Sequence, residues 1–374
     1  VKAMILAAGK GTRVRPLTNK IPKPMIPIVT KPTIEFLIEL LKNHDVTEIM
    51  INISHLGWLI QDYLRNGSKY GVNIGYSFEG KLLPDGTLET EPIGSAGGMK
   101  LIQERYNFFD ETFIVLCGDA IVDLDITEAY NFHKSKGALA TIITKEVSKD
   151  QVSNYGIVVT DEKGKVLSFQ EKPSSEEAKS NIANTGIYIF EPEIFEHIPS
   201  GEFYDIGSQL FPKLVSEGKP IYAYSMDFNW FDIGRNKDYL VILEKALSGE
   251  IKNFYPGGKE IYPGVWVGTG AVISQGVEIK PPVYIGSSTI LEKGVTITGP
   301  AIIGANCYIS KDSHIANAFV MDYCYLKPGT SLSRILVTPE YFVHSDGESG
   351  EISESHLSKS VKDVRTLGIE MKEA

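Results

Sequence analysis

From Lys2 to about Tyr239, short apolar β-rich runs alternate with segments of helical period. The pattern predicts strands at 3–6, 48–53, 73–78, 112–116, 138–144 and 156–160, and helices at 33–43, 56–65 and 95–104. Such alternation indicates an α/β domain with a mainly parallel sheet, whose ligand crevice lies beyond the carboxyl ends of the strands. From Ile261 a different period takes over. Ile261, Val267, Ile273, Ile279, Ile285, Leu291, Ile297, Ile303, Ile309, Ile315 and Met321 stand six apart and are all aliphatic or Met. Small or β-branched residues recur four places on, at Ala271, Val277, Thr289, Val295, Ala301 and Ser313. This is the period of a parallel β-helix, each hexad forming one face of a triangular coil, with three hexads to a turn. Lys327 stands at the next aliphatic position and ends the solenoid, while Phe319 and Tyr325, bulky where small residues are usual, imply a widened or capped last coil. The chain therefore divides into an α/β domain (1–247), a linker (248–260) where Gly, Pro and Lys interrupt both periods, a β-helix (261–326) and an extension (327–374). In the extension, the apolar run 335–343 is expected to pair with the last coil, 345–355 to form a loop, and a short amphipathic helix to close the chain.

The first strand empties into Ala7-Ala8-Gly9-Lys10-Gly11-Thr12-Arg13, and no helical period resumes until about Thr33. A loop of that length inside a compact domain is usually functional. Gly9 and Gly11 allow backbone N–H groups to close on an anion, and Arg13 and Lys23 supply counter-charge, which suits a polyphosphate. The spacing is neither that of a Walker loop nor, lacking the third glycine, that of the dinucleotide fingerprint.

Composition narrows the partners. The formal net charge of −10 over 374 residues argues against nucleic acid, so the cations between Arg13 and Lys23 stand out as a local feature aimed at a small anion. Cys117, Cys307 and Cys324 form no C-x-x-C pair and have no His at metal spacing, so they read as three buried thiols. No apolar run approaches the ~18 residues of a membrane span, and the N-terminal strand is too short and wrongly flanked for a signal peptide; the expected location is cytoplasmic.

Three pieces, L-A-A-G-K-G-T-R (6–13), R-P-L-T (15–18) and P-K-P-M (22–25), occur in an order and spacing that resemble the signature of the nucleotide-sugar pyrophosphorylases. These enzymes join a nucleoside triphosphate to a sugar 1-phosphate. The resemblance implies a Rossmann-like mixed-sheet nucleotidyltransferase domain, and the hexads resemble those of left-handed parallel β-helices. It also implies roles for particular residues. Leu6, Ala8, Gly9, Gly11, Thr12, Arg13 and Gly118 would line the nucleotide. Asp119, directly after a buried strand, and Asp232 in W-F-D-I-G match the G-D and D-I-G motifs that carry Mg²⁺, although either alone would pass for a turn or cap. Glu171-Lys172-Pro173 matches the sugar-phosphate loop, with Lys172 on the phosphate and Glu171 on sugar hydroxyls. Asn184-Thr185-Gly186 resembles the N-x-G that orients the hexose, and Tyr155-Gly156 the Y-G that lines its pocket. Arg13, Lys23, Asp119, Lys172 and Asp232 make up the implied catalytic set.

The second glycine-rich stretch, 89–98, would lie against the base with Glu89, Gly94 and Ser95, and Ser95 also reads as a helix cap. A carboxylate at Glu89 or Glu91 could accept two hydrogen bonds from guanine, whereas uracil offers only N3–H. The resemblance leans the other way, toward a cyanobacterial group similar in sequence to mannose-1-phosphate guanylyltransferases but acting as UDP-glucose pyrophosphorylases. The expected substrates are UTP and glucose 1-phosphate; GTP with mannose 1-phosphate is the alternative, followed by thymidylyl or adenylyl transfer to glucose 1-phosphate. An acyltransferase reading of the β-helix has only His314 within the hexads to rest on, and a regulatory subunit without activity would be expected to lack one of the five catalytic residues, all of which are present. The β-helix then reads as an assembly module with an open coil end, and a homo-oligomer is expected.

Overall fold

Lys2–Leu6 is covered on both faces: Ala3 and Ile5 join a buried cluster with Ile34, Leu37 and Ile51, and Met4 joins another with Met50, Phe113 and Val115. A strand buried on two sides belongs in the middle of a sheet. In the computed structural model, which describes residues 1–85 and 88–368, it lies between Glu48–Ile53 and Phe113–Cys117 and runs parallel to both. Asn73–Phe78 continues this parallel half. Beyond Phe113–Cys117 the direction changes. Ile182–Phe190 runs antiparallel to it, followed by Gly156–Thr160 and Val166–Glu171, each antiparallel to its neighbour. Ala140–Glu146 pairs antiparallel with Ile182–Phe190, and Ile221–Ser225 runs parallel beside it.

The nine-stranded sheet is thus mixed, and the expectation of a mainly parallel sheet holds for one half only. The reason lies in chain length. Five residues separate Gly156–Thr160 from Val166–Glu171, too few for the crossover that a parallel pair requires. One consequence matters for the chemistry. Leu6 is in register with Cys117, Leu116 with Ile187, Ala183 with Ile157, and Gly156 with Glu171. The starts of two antiparallel strands therefore reach the same sheet edge as the carboxyl ends of the parallel ones.

Helices at Thr33–Asn43, Gly57–Leu64 and Ser95–Tyr106 fall within two residues of their expected bounds. Ile126–Lys136 lies outside the expected set, although its signals are in the chain: Asp125 accepts from the Glu128 N–H and Gly137 stops the helix in a left-handed conformation. His133 on this helix is fully buried, bonded to Thr141 at 2.8 Å and 3.3 Å from Glu191, and its burial pushes the imidazole pKa down. The unfolded chain then takes up the proton first as pH falls through about 6.5, so this contribution to stability is present above that value and is lost below it. The drop in Tm between about pH 7.5 and about pH 5.5 is expected to be smaller in His133→Gln than in the wild type.

These strands and helices belong to one compact unit, Val1–Gly11, Lys20–Ile26 and Pro32–Asp232; a second comprises Thr12–Asn19, Pro27–Lys31 and the chain from Ile233. In the second, strands visit three sheets in rotation. Val265 pairs with Val283 and Val283 with Ala301, Val272 with Ile290, and Glu278 with Thr296, all parallel and all 18 residues apart, as three hexads per circuit require. Glycine holds one corner of successive circuits at 268, 286 and 304. A Cβ on Gly286 would lie 2.4 Å from the backbone of the circuit above.

The hexad register needs four corrections. Ile261 is 46% exposed on Lys259–Tyr262, an antiparallel strip on the edge, so the circuits begin at Val265. Between Ala316 and Phe319 the chain drops one residue: Ile302 pairs with Phe319 and Tyr308 with Tyr325, 17 apart. Val320 therefore takes the buried place expected for Met321, and Leu326 the place at which Lys327 was to end the solenoid. Phe319 and Tyr325 become ordinary ladder members, and parallel pairing continues to Ile335–Val337. Tyr341–His344 then folds back on that strand, so the run 335–343 does pair with the last circuit. The 345–355 stretch includes a short strand, Ser349–Glu351. Among the described residues the extension ends in the 3₁₀ turns His356–Lys359 and Val364–Thr366, with Val361–Asp363 pairing along Cys324–Leu326 between them, and the expected closing helix is not among these elements; residues 369–374 lie outside those described. No helix among the described residues is long and apolar enough to cross a membrane.

Candidate active site

The loop after Lys2–Leu6 is tied to its neighbours by two hydrogen bonds. The Gly118 N–H donates to the Leu6 carbonyl at 2.9 Å, and the Ala7 N–H to Asn52 Oδ1 at 2.8 Å. Gly9 has open space where a side chain would project, and Gly11 has φ +62°, so the backbone of this loop is available to a ligand. Thr12 and Arg13 lie on the 3₁₀ turn Thr12–Val14, which belongs to the second unit.

Asp119 and Asp232 are brought together by a two-stranded ribbon in which Ala120–Val122 runs antiparallel to Trp230–Asp232 and Ala120 pairs with Asp232. The Lys23 ammonium, on the turn Lys23–Met25, is hydrogen-bonded to Asp119 Oδ2 and lies 3.9 Å from Asp232 Oδ1. A cation thus stands where the two carboxylates converge. Two hard oxygen donors a ribbon apart suit a divalent cation that keeps most of its waters, the usual habit of Mg²⁺. Among the described residues no cluster of three or more metal-type side chains occurs, so protein donors here would be these two carboxylates alone. Cys117, next to them, is partly exposed at the residue level instead of fully buried as expected, whereas Cys307 and Cys324 are buried; all three are free. Desolvation of the sulfur itself, with Asp119 and Asp232 nearby, pushes the Cys117 thiol pKa well up and disfavours the thiolate.

The loop after Val166–Glu171 carries Lys172 at φ +46°, a left-handed conformation that costs a non-glycine residue about 1 kcal/mol or more. Its amide donates to the Tyr155 carbonyl and its ammonium lies 3.3 Å from Glu171 Oε1, with both side chains about half exposed. Gly156 pairs with Glu171, and a Cβ there would strike the Phe169 ring at 2.6 Å. Asn184 reaches the same edge, its amide donating to the Tyr188 hydroxyl at 2.9 Å. Thr185 does not face the crevice. It is 3% exposed, in the bulge where the ladder skips from Ile187 to Asn184, and its hydroxyl donates to the Ile143 carbonyl. Its contribution is to strand shape.

The stretch entering Ser95–Tyr106 also differs from expectation in detail. Gly94 and not Ser95 occupies the cap position. The Ser95 hydroxyl donates to Asp205 Oδ2 at 2.9 Å and accepts from the Ile206 N–H, tying this loop to the segment 204–206. Asp205, absent from the sequence-derived set, carried as its only signal an aspartate before an apolar run. Glu91 is half exposed and lies 2.8 Å from Lys81 Nζ. Glu89 is also exposed, across the hairpin from Lys81.

Residues 2–249 match the nucleotidyl transferase family. Over its whole length the chain is 51% identical to the UTP–glucose-1-phosphate uridylyltransferase of Synechocystis sp., covering 96% of that protein. It is 36% identical over 243 residues to mannose-1-phosphate guanyltransferase 2 of Candida glabrata, a span of 64% of this chain and 63% of that one. A solved structure of UDP-glucose pyrophosphorylase complexed with UDP-glucose shares the fold over 65% of this chain and 96% of its own, with a TM-score of 0.54 at 23% identity. With the family match covering the whole sheet edge described above, the chain belongs to the nucleotidyl transferase family.

Proposed function

We propose that the chain transfers the uridylyl group of UTP to glucose 1-phosphate. A sugar-phosphate oxygen attacks the α-phosphorus, the bond to the β-phosphate breaks, and pyrophosphate leaves. The single observation that carries the choice of substrates is likeness at full length: similarity to the uridylyltransferase extends over all 374 residues, whereas the guanyltransferase match spans 243. The geometry lends the guanine argument no added support. Glu91 is taken up by Lys81, and Glu89 is exposed on the same hairpin, so neither carboxylate is committed to a base. Glu89→Gln and Glu91→Gln are each expected to leave kcat/KM for UTP within about threefold, under ~1 kcal/mol.

In this reading the backbone of residues 8–11 and Gly118 holds the phosphates, and Lys172 with Glu171 and Asn184 holds the sugar phosphate. Asp119 and Asp232 hold Mg²⁺, which supplies neutralisation of charge on the phosphates. Lys23, already beside the two carboxylates, holds them aimed at one point. The circuits of the second unit form a left-handed β-helix that serves assembly, and the full-length chain is expected to run as a homo-oligomer by light scattering; a monomer at micromolar concentration would remove that role. The function itself is tested by pyrophosphate release from UTP, GTP, dTTP and ATP, each with glucose 1-phosphate and mannose 1-phosphate. A higher kcat/KM for GTP with mannose 1-phosphate than for UTP with glucose 1-phosphate would overturn the assignment.

A further inference from the structure

Glu79 is a buried carboxylate that the proposed chemistry does not use. It follows Asn73–Phe78, is 3% exposed, and is fixed through its backbone, whose N–H donates to the Ile53 carbonyl and whose carbonyl accepts from Ser54. Its side chain accepts from Asn52 Nδ2 at 2.6 Å and faces the backbone N–H of Ile93. Asn52, equally buried near the carboxyl end of Glu48–Ile53, accepts the Ala7 N–H on its other end at 2.8 Å. Hydrogen bonds thus run from Ala7, at the mouth of the 7–11 loop, through Asn52 to Glu79, whose carboxylate faces Ile93, just ahead of Ser95–Tyr106.

Gly98 makes room for it. A Cβ there would sit 2.5 Å from Glu79 Oε1 and 3.0 Å from Asn52 Nδ2, so glycine at this point of Ser95–Tyr106 answers to the protein's own side chains. Burying two polar side chains is costly unless each is bonded, whereas an apolar pair could fill the same space. What the polar pair adds is fixed length and direction.

We propose that Asn52 and Glu79 are positioning residues that set the separation of the 7–11 loop and the stretch 93–97 that enters Ser95–Tyr106, so that the phosphates and the base of one nucleotide are taken up together. The inference rests on the nucleotide reading of those loops given above. The pair acts on the nucleotide through backbone placement and touches neither substrate.

Asn52→Asp keeps an acceptor for Ala7 but sets a carboxylate against Glu79. In the full-length chain it is expected to raise KM for UTP about tenfold or more while KM for glucose 1-phosphate stays within about twofold and kcat within about threefold. The double variant Asn52→Asp, Glu79→Gln restores the chain with its central bond reversed, the new amide donating to the new carboxylate, and is expected to bring KM for UTP back to within about threefold of wild type. A single variant that leaves KM for UTP within about twofold or raises both KM values alike, or a double variant no better than the single, would overturn the proposal. If Asn52→Asp is insoluble, Glu79→Gln alone decides: it removes one acceptor oxygen and is expected to raise KM for UTP at least about threefold without moving KM for glucose 1-phosphate, and any other result counts against the pair. A wild-type chain that releases pyrophosphate from none of the four nucleotides takes down the proposed function and this inference with it, an outcome distinct from a failure confined to the variants.

Discussion

Asp232→Asn is expected to lower kcat for pyrophosphate release by about 10²-fold or more, the usual scale when an electrostatic partner of a transition state is lost. The amide preserves shape and leaves the Trp230–Asp232 ribbon intact, because that ribbon pairs through backbone groups. What changes is charge at the point where Asp119, Asp232 and Lys23 meet. If the pair holds Mg²⁺ as proposed, raising Mg²⁺ is expected to recover binding of the ion before its placement, so the loss is expected to persist at saturation. Asp119→Asn is expected to fall in the same range, and the double variant to fall well short of the sum, since residues that act as a unit are not additive. Near-normal kcat in Asp232→Asn under saturating Mg²⁺ would remove Asp232 from the site.

Lys172→Ala is expected to raise KM for glucose 1-phosphate about 10- to 100-fold, the equivalent of about 1.5–3 kcal/mol for a charged hydrogen bond. KM for UTP is expected to stay within about threefold. Lys172 is half exposed and its ammonium lies beside Glu171, so its removal disturbs no buried contact and Tm should hold. The strained φ of +46° at this residue sharpens the test, because Lys172→Gly relieves the strain and still removes the ammonium. If the ammonium matters, the glycine variant fails on the sugar phosphate as the alanine variant does. Arg13→Ala, in the signature loop, is expected to show the opposite pattern, weakening UTP and sparing the sugar phosphate. Equal effects of Lys172→Ala and Arg13→Ala on both substrates would dissolve the division between the two loops.

Local pattern was enough to locate the strands that end at Leu6, Ile53 and Phe78, because a short apolar run between turn residues has few other uses, and the helix at Thr33–Asn43, because its apolar positions recur at helical spacing. The sixfold period likewise announced three ladders of parallel strands, since a repeat sets the spacing of 18 residues from one circuit to the next. The candidate site was legible through motifs whose order in the chain places Lys23, Asp119, Lys172 and Asp232 in separate loops. What the chain could not disclose was anything set by partners distant in sequence. Strand direction beyond Phe113–Cys117 depended on connection lengths, and the single missing residue between Ala316 and Phe319 shifted every later hexad by one, so that the sixfold count met Lys327 where the fold keeps Leu326. Thr185 looked like part of a sugar pocket until a bulge turned its hydroxyl onto the Ile143 carbonyl. Asn52, Glu79 and Asp205 carry no motif: an asparagine or a carboxylate at a strand or helix end is ordinary in sequence. The bonds of Asn52 to Glu79 and Ala7 and of Asp205 to Ser95 span 27 to 110 residues, and only folding, by burying these polar groups, obliges them to find one another.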